Sequence, residues 1–161
     1  MTEMILAGTG HRMTKLGGYT EIAFQKLIAF ATVQLSERQP AEVISGMALG
    51  WDQALAMAAV ACKIPFIAAV PHTGQELMWP APAQERYRRI LVDARQIVIV
   101  SPGPYAAWKM QRRNEWMVQE CTDLLALWDG SSGGTHNCVK YAEQVGRNTI
   151  NCYEAWRAFA V

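Results

Sequence analysis

Apolar runs and helical patterns alternate from one end of the chain to the other. Short runs of mainly apolar residues predict strands at 4–7, 43–44, 66–70, 96–100, 124–128 and 149–152. Between them apolar residues recur at helical spacing, as Phe24, Leu27 and Ala31 do in the first such segment. Solidly apolar strands are expected when helices cover both faces of a sheet. Strict alternation of strand and helix then predicts a parallel sheet built from right-handed crossovers.

The predicted fold is α/β: a single three-layer Rossmann-like domain over residues 1–161 with a mainly parallel sheet. A chain of 161 residues is long enough to bury roughly 70% of its unfolded surface in one core. In such folds ligands bind beyond the carboxyl ends of the strands. We therefore expect the chemistry to lie in the loops that follow the strands.

Composition narrows the class of protein. Hydrophobic residues make up 51% of the chain and charged residues 18%, which excludes a disordered tail, a collagen-like repeat and a coiled coil. No apolar stretch approaches the roughly 18 residues of a membrane span, and the first residues lack the basic flank of a signal peptide. The sequence thus predicts a cytoplasmic protein without a membrane partner. The four cysteines show no metal-ligand spacing, so neither a metal nor another cofactor is expected.

The net charge of +1 hides a basic segment between Arg86 and Arg113. This segment holds seven basic residues against one acid, Asp93. Local basicity suits phosphate groups, although the segment is too confined for a long nucleic-acid track. A solvated helix face is an equally consistent interpretation.

The first candidate loop follows the first strand and consists of Gly8, Thr9, Gly10, His11 and Arg12. Its two glycines would let the backbone approach a ligand closely, and Arg12 can pair with a phosphate. The run is not G-x-G-x-x-G, so a nicotinamide site is not expected. An ordinary turn is the alternative.

The second candidate loop supplies five possible ligand-binding residues, Ser45, Gly46, Met47, Gly50 and Asp52. The two glycines bracket a tight turn whose amides would point at a ligand. Asp52 falls in the first turn of a helix, where it either caps that helix or binds sugar hydroxyls. Trp51 is either a stacking surface for a base or a packed core residue.

The third candidate segment is a helix start whose shared face carries Met110, Arg113, Asn114, Met117 and Cys121. Arg113 and Asn114 interrupt this apolar stripe. A buried guanidinium needs a partner, either a core carboxylate or an anion in a pocket. Its place at the functional end of the sheet favours the pocket.

The fourth candidate loop runs from Asp129 to Thr135, and Gly133, Gly134 and Thr135 are its expected ligand-binding residues. Successive glycines with hydroxyl side chains form phosphate nests of backbone amides. The loop lacks the lysine of a Walker motif, so hydrolysis of a nucleoside triphosphate is not implied. A simple connecting turn is the alternative.

Taken in order, the runs 8–12 and 45–52, followed by Pro71 and Trp79 before a helix, resemble the SLOG superfamily of Rossmann-like proteins. The likeness is greatest to its small YpsA-like branch. The superfamily is named for members related to Smf/DprA and to the LOG phosphoribohydrolases, which cleave the N-glycosidic bond of nucleoside monophosphates. The resemblance covers nearly the whole chain and implies a homodimer, with Trp108 and Trp116 as candidate interface residues.

The LOG signature has an M-x-x-R-K-x-x-M helix start and a glycine-rich loop that ends G-T-x-x-E. It is matched here by Met110, Arg113, Asn114 and Met117, with Asn114 at the lysine position, and by Gly133, Gly134 and Thr135. The glutamate position falls on Cys138, and a neutral thiol cannot stabilise oxocarbenium character as a carboxylate does. The resemblance therefore carries over the ligand-holding residues better than the catalytic one.

The favoured interpretation is a binding protein for a nucleotide or nucleotide-derived small molecule, used in sensing or sequestration. Its phosphate would lie on the runs 8–12 and 133–135 and on Arg113, with Asp52 near the sugar. The alternative is a LOG-like nucleoside monophosphate phosphoribohydrolase, and whether the protein is an enzyme stays open. In that case Asp52, Asp129 or Glu76 would supply the carboxylate, assisted by His11 or His136.

A third interpretation follows from the DprA resemblance and is single-stranded DNA binding. The aromatic residues Tyr87, Tyr105 and Trp108 are interleaved with the basic segment, which allows base stacking beside phosphate contacts. The overall charge of +1 argues against it, so a nucleic-acid partner is not expected.

Overall fold

The computed structural model describes residues 3–160 and contains one six-stranded sheet. Its strands are β1 (Ile5–Gly10), β2 (Glu42–Ser45), β3 (Phe66–Val70), β4 (Gln96–Ile99), β5 (Asp123–Leu127) and β6 (Asn148–Asn151). Neighbouring strands are all parallel, in the order β4-β3-β2-β1-β5-β6. The predicted α/β class and parallel sheet are confirmed.

Helices cover both faces of the sheet and give the predicted three layers. They are α1 (Glu21–Arg38), α2 (Trp51–Ala61), α3 (Ala81–Val92), α4 (Ala107–Glu120), α5 (Gly134–Gln144) and α6 (Tyr153–Ala158), and a 3-10 turn spans Met13–Lys15. Buried residues of α1, α2, α3 and α6 form one core cluster, and those of α4 and α5 form the other. Local signals explain helix ends: Thr20 accepts a hydrogen bond from the Ala23 amide at the start of α1, and left-handed Gln39 ends it.

Two strands differ from the sequence prediction. β1 continues through Gly10, so Gly8, Thr9 and Gly10 belong to a strand and the loop begins at His11. Pairing with β5, in which Gly10 lies opposite Leu127, overrides the weak strand preference of glycine. β4 is an edge strand that leaves Ile97 49% exposed, so the apolar run there does not mark a strand covered on both faces.

The strand order places a crevice at the centre of the sheet. Successive strands run outward from β1 through β2 and β3 to β4, and the chain then returns to the other side of β1 with β5. The gap between the carboxyl ends of β1 and β5 is thus the topological switch point, where open α/β sheets bind ligands. Within residues 3–160 no helix has the length and apolar character needed to cross a membrane.

Candidate functional site

A cleft of about 270 Å³ opens at the switch point between β1 and β5. Residues from all four predicted segments contribute to its wall, namely Gly8, Thr9, Gly10, His11, Arg12, Ala48, Asp52, Met110, Arg113, Asn114, Met117, Gly134 and Thr135. A second hollow of about 190 Å³ adjoins it and shares His11, Arg12, Gly134 and Thr135. Together the two form what we call the switch-point cleft.

The amino end of α5 forms one wall of the switch-point cleft. Gly133 precedes this helix with φ 139°, and within residues 3–160 no side-chain cap bonds to the first amides of the helix. A Cβ atom built on Gly133 or Gly134 meets nothing within 4 Å, so the space in front of the helix is open. The first amides of a helix lack intrahelical acceptors and carry a partial positive charge. This end of α5 therefore suits an anionic group.

Arg12 lies at the junction of the two parts of the cleft and is exposed. Within the described part of the chain no carboxylate lies within ion-pair distance of its guanidinium. A guanidinium beside open helix amides can form paired, charge-assisted hydrogen bonds to a phosphate. Arg12 is thus the cation of the site that is available to a ligand.

Arg113 forms the floor of the cleft and is only 5% exposed. Its Nη1 donates to the carbonyls of Gly46 at 2.5 Å and Ala69 at 3.2 Å, and its Nε donates to Asn114 Oδ1 at 3.1 Å. The sequence predicts a carboxylate or an anion as its partner, whereas these contacts go to backbone carbonyls and an amide. Between residues 3 and 160 no acceptor reaches Nη2, which leaves one guanidinium nitrogen for a ligand.

Asp52 is the second residue of α2, and its Oδ2 accepts a hydrogen bond from the Ala48 amide at 3.3 Å. The side chain is 7% exposed and lines the cleft. Burial raises its pKa from 3.8 to about 6, against the opposing effects of Arg113, the Ala48 amide and Arg12. The residue therefore both caps the loop and titrates closer to neutral pH than an ordinary aspartate.

The raised pKa makes a testable prediction. In carbon-detected NMR, the Asp52 carboxyl is expected to titrate near 6 and not near the ordinary value of 3.8. Because the native state holds this proton more tightly than the unfolded chain, the free energy of unfolding should fall as pH rises between these two values. Asp52→Asn should remove that slope. A titration midpoint at the ordinary value would contradict the assigned burial.

Ala48 and Asp52 of the second predicted loop line the cleft, and the rest of this loop lies behind the floor. Ser45 Oγ donates to the Asp52 carbonyl at 2.7 Å and accepts the Met47 amide at 3.2 Å. Gly50, at φ 93°, is pressed against the His11 carbonyl, which accepts the Trp51 amide at 3.1 Å. These groups face the protein because the loop is folded back on itself. Among its predicted ligand residues, only Asp52 lines the cleft.

The glycines of β1 serve packing as well as the cleft wall. A Cβ on Gly8 would lie 2.3 Å from Leu55 Cδ2, and a Cβ on Gly10 would lie 2.4 Å from Trp51 Cδ1. Both positions therefore need glycine so that α2 can approach the sheet. Trp51 is fully buried, so it is a core residue and not a stacking surface.

An ion cluster ties the two loops that flank the cleft together. The buried His11 Nε2 accepts the Asp129 amide at 2.9 Å and lies 2.9 Å from Asp129 Oδ1. Lys15 Nζ reaches Asp129 Oδ2 at 3.5 Å and donates to Ser131 Oγ. Burial lowers the pKa of His11, whereas hydrogen bonds from Ser131 hold the pKa of Asp129 well below its usual range.

Sequence reasoning missed Lys15 and Ser131 in this cluster. The available signal was the Asp129-Gly130-Ser131 run, because an aspartate commonly accepts the amide two residues later. The Ser131 amide indeed donates to Asp129 Oδ1 at 2.9 Å.

The side chains of Cys138, Glu76 and His136 do not line the cleft. Cys138 is fully buried, and burial raises the pKa of its thiol to about 12, so it is neutral. Glu76 pairs with Arg88 at 3.5 Å, and His136 packs beside Trp128. Asp52 is thus the carboxylate that the structure brings to the cleft floor. In the part of the chain described, no group of three or more His, Cys, Asp or Glu is placed to hold a metal.

Of the three aromatic residues interleaved with the basic segment, Tyr105 and Trp108 are exposed and Tyr87 is buried. Tyr87 is 3% exposed and donates to Gln75 Oε1 at 3.0 Å, so it cannot stack on a base. Three of the arginines are paired with acids, Arg86 with Glu21, Arg88 with Glu76 and Arg95 with Glu42. Two further cations of the segment, Lys109 and Arg113, are buried. Their charges are therefore used within the fold.

A parallel α/β sheet with a glycine-lined cleft at its switch point defines a Rossmann-like protein. The family model for DNA recombination-mediator protein A matches residues 20–157. The chain therefore belongs to the DNA recombination-mediator protein A family.

Two further proteins are similar to this chain in sequence. The uncharacterized SPbeta prophage-derived protein YoqJ of Bacillus subtilis (strain 168) is 32% identical over 148 residues, which cover 82% of this chain and 84% of that protein. A UPF0398 protein of Lysinibacillus sphaericus (strain C3-41) is 25% identical over 99 residues, covering 56% of this chain and 55% of the relative.

Solved structures share the fold. The DprA protein of Streptococcus pneumoniae superposes with a TM-score of 0.65 at 18% identity, over 91% of this chain and 49% of that one. DprA of Helicobacter pylori superposes with a TM-score of 0.64 at 18% identity, and the match covers 92% of this chain and 64% of that one. The structural genomics target TM1055 superposes with a TM-score of 0.61 at 9% identity, and the match covers 98% of this chain and 82% of that one. The chain thus spans about half of one DprA chain and under two thirds of the other.

Proposed function

We propose that this protein binds a nucleotide or a nucleotide-derived small molecule in the switch-point cleft, for sensing or sequestration. The observation that carries the proposal is the juxtaposition of the open amino end of α5 with the unpaired guanidinium of Arg12. The phosphate would rest on these groups, with Arg113 Nη2 below it and Asp52 near the sugar. The volumes of the two hollows lie at the small end of ligand pockets, which favours a mononucleotide.

The test is calorimetric titration with adenosine, guanosine, cytidine and uridine monophosphates. Arg12→Ala is expected to lower the affinity for the nucleotide by about tenfold or more, because a charge-assisted hydrogen bond contributes about 1.4 kcal/mol or more. Arg112→Ala is the matched control, since this exposed arginine lies on α4 outside the cleft. Equal losses in both variants, or no binding of any of the four nucleotides at millimolar concentration, would contradict the proposal.

A second candidate function is hydrolysis of the N-glycosidic bond of a nucleoside monophosphate. Asp52 favours it, because a carboxyl with a pKa of about 6 can give its proton to a departing base. Water would then bond to the sugar carbon that the base leaves. Incubation with each nucleotide and chromatography for free base tests this activity. Release by the wild type, absent in Asp52→Asn although binding persists, would support it.

Single-stranded DNA is the third candidate ligand. The family bears the name of a recombination mediator, and DprA of Helicobacter pylori has a single-stranded DNA binding mode. The cleft has room for a backbone phosphate, and three arginines of the basic segment are already paired with acids. Affinity for an oligonucleotide that falls steeply with salt would favour DNA over a free nucleotide.

We also propose that the protein is a homodimer and that it stands nearest the YpsA-like branch, to which the UPF0398 relative points. Tyr105 and Trp108 are 65% and 63% exposed near the start of α4, a degree of aromatic exposure typical of interfaces. Light scattering is expected to give twice the chain mass of 17.9 kDa, and Trp108→Glu should shift the protein to monomer. A wild-type species of single chain mass would contradict the dimer.

A further inference from the structure

A separate cavity of about 300 Å³ lies on the other side of the β2–α2 loop. Its walls come from the loop before α1 and from the starts of α1, α2 and α3, and we call it the aromatic cavity. None of its lining residues lines the switch-point cleft. The two are separated where Gly50 is packed against the backbone of His11 and Arg12. A ligand in one is therefore not in contact with the floor of the other.

A buried hydrogen-bond acceptor lies in the wall of the aromatic cavity. Gln53 is 1% exposed and lines the cavity, and its Nε2 donates to the Met47 carbonyl at 3.2 Å. In the described range no N–H or O–H group donates to its Oε1, and the Nε2 bond to Met47 is the side-chain hydrogen bond of this residue. Since Gln53 lines the cavity, this oxygen is the acceptor that the wall can offer to a ligand. An acceptor held in this way selects a ligand that carries an N–H group.

The remaining walls are mainly apolar. Phe24 is 4% exposed, and the Arg86 guanidinium lies over its ring at 4.4 Å from the centroid. Arg86 is also paired with Glu21 at 2.6 Å, so the rim is close to neutral and does not select an anion. Tyr19 stands at the mouth and is 64% exposed, which leaves its ring free to cover a planar group.

We propose that the aromatic cavity binds a nucleobase, a planar heterocycle whose N–H group donates to Gln53 Oε1, independently of any phosphate in the switch-point cleft. Arg86 and Phe24 form one stacked wall, and Tyr19 covers the outer side. The base belongs either to a free nucleoside or to a single-stranded nucleic acid. Both sources present the same ring and the same donor.

The test uses adenosine, which carries no phosphate, and purine riboside, which lacks the amino group. Dissociation constants are measured by NMR titration for the wild type, for Ala83→Phe and for Ala81→Phe. Ala83 lines the cavity, so a phenylalanine side chain at this position should fill the space. The affinity for adenosine should then fall at least tenfold. Ala81 is an exposed residue of the same helix outside the cavity, so its variant should match the wild type within twofold. Purine riboside should bind at least fivefold more weakly than adenosine.

Two further measurements keep the outcome unambiguous. Tyr19→Ala changes an exposed side chain only. It should lower the affinity for adenosine about threefold or more without affecting the fold. Retained binding of a nucleoside monophosphate by Ala83→Phe shows that this variant is folded and that the switch-point cleft is intact. Adenosine binding unchanged by Ala83→Phe, or absent from the wild type, overturns the proposal and leaves the phosphate site untouched.

A short adenine oligodeoxynucleotide distinguishes the two sources of the base. If its affinity falls with that of adenosine in Ala83→Phe, the cavity takes a base of a single strand. If the oligonucleotide binds no more tightly than adenosine to the wild type, a free nucleoside is the natural occupant.

Discussion

Replacing Arg113 by methionine is expected to lower the free energy of unfolding by about 3–5 kcal/mol. Its guanidinium donates to the Gly46 and Ala69 carbonyls, which belong to two different parts of the sheet edge. Methionine fills similar space but leaves both carbonyls without their donor and removes the positive charge that acts on the buried Asp52. An unsatisfied buried group costs about 1–3 kcal/mol, more when charge is involved. Urea denaturation of the variant and the wild type measures the difference.

The neighbouring residue provides the control. Arg112 lies on the same helix and is exposed, so Arg112→Met should change stability by no more than about 0.5 kcal/mol. Because Arg113 lowers the pKa of Asp52, the Arg113→Met variant should also titrate that carboxyl at higher pH than the wild type. A loss below about 1 kcal/mol would show that the β2–α2 loop is held by other contacts.

Gly10→Ala is expected to cost about 2–3 kcal/mol of stability. Its new Cβ would lie 2.4 to 2.8 Å from three atoms of Trp51, which is fully buried and packed against Phe30. The clash is with an indole ring that has nowhere to move, so either the strand or α2 must shift. Thermal and chemical unfolding of the purified variant give the size of the loss.

Gly134→Ala is the matched comparison for this substitution. A Cβ there meets nothing within 4 Å, and the residue opens α5, so alanine should be neutral or stabilise by up to about 1 kcal/mol. If the two alanine variants lose stability equally, glycine flexibility and not the contact with Trp51 accounts for the effect at Gly10.

The sequence was sufficient for the type and order of the elements and for the edge of the sheet that carries the candidate site. Phe24, Leu27 and Ala31 mark the buried face of α1 through local spacing alone, and the run 66–70 is β3 as predicted. Parallel strands place all their carboxyl ends on one edge, so the loop residues Arg12 and Thr135 meet there without any long-range information.

Contacts between distant positions could not be predicted in this way. Trp51 fills the space left by Gly10, Arg113 donates to Gly46, and Lys15 reaches Asp129 across most of the chain. No local pattern distinguishes a glycine that admits a ligand from one that admits an indole. The aromatic cavity was missed for the same reason, because Phe24, Gln53 and Arg86 belong to three helices and each fits an ordinary helix pattern.

The central place of β1 also determines the order in which the protein can be completed during synthesis. Its first neighbour, β2, leaves the ribosome soon after it, as the pairing of Ile5 with Glu42 shows. Its second neighbour is β5, so the edge of β1 that pairs Gly10 with Leu127 stays unpaired until β5 has been synthesised. Pairing across so long a stretch of chain is slow. A nascent chain that stalls before β5 thus exposes an open strand edge, on which neighbouring chains can aggregate.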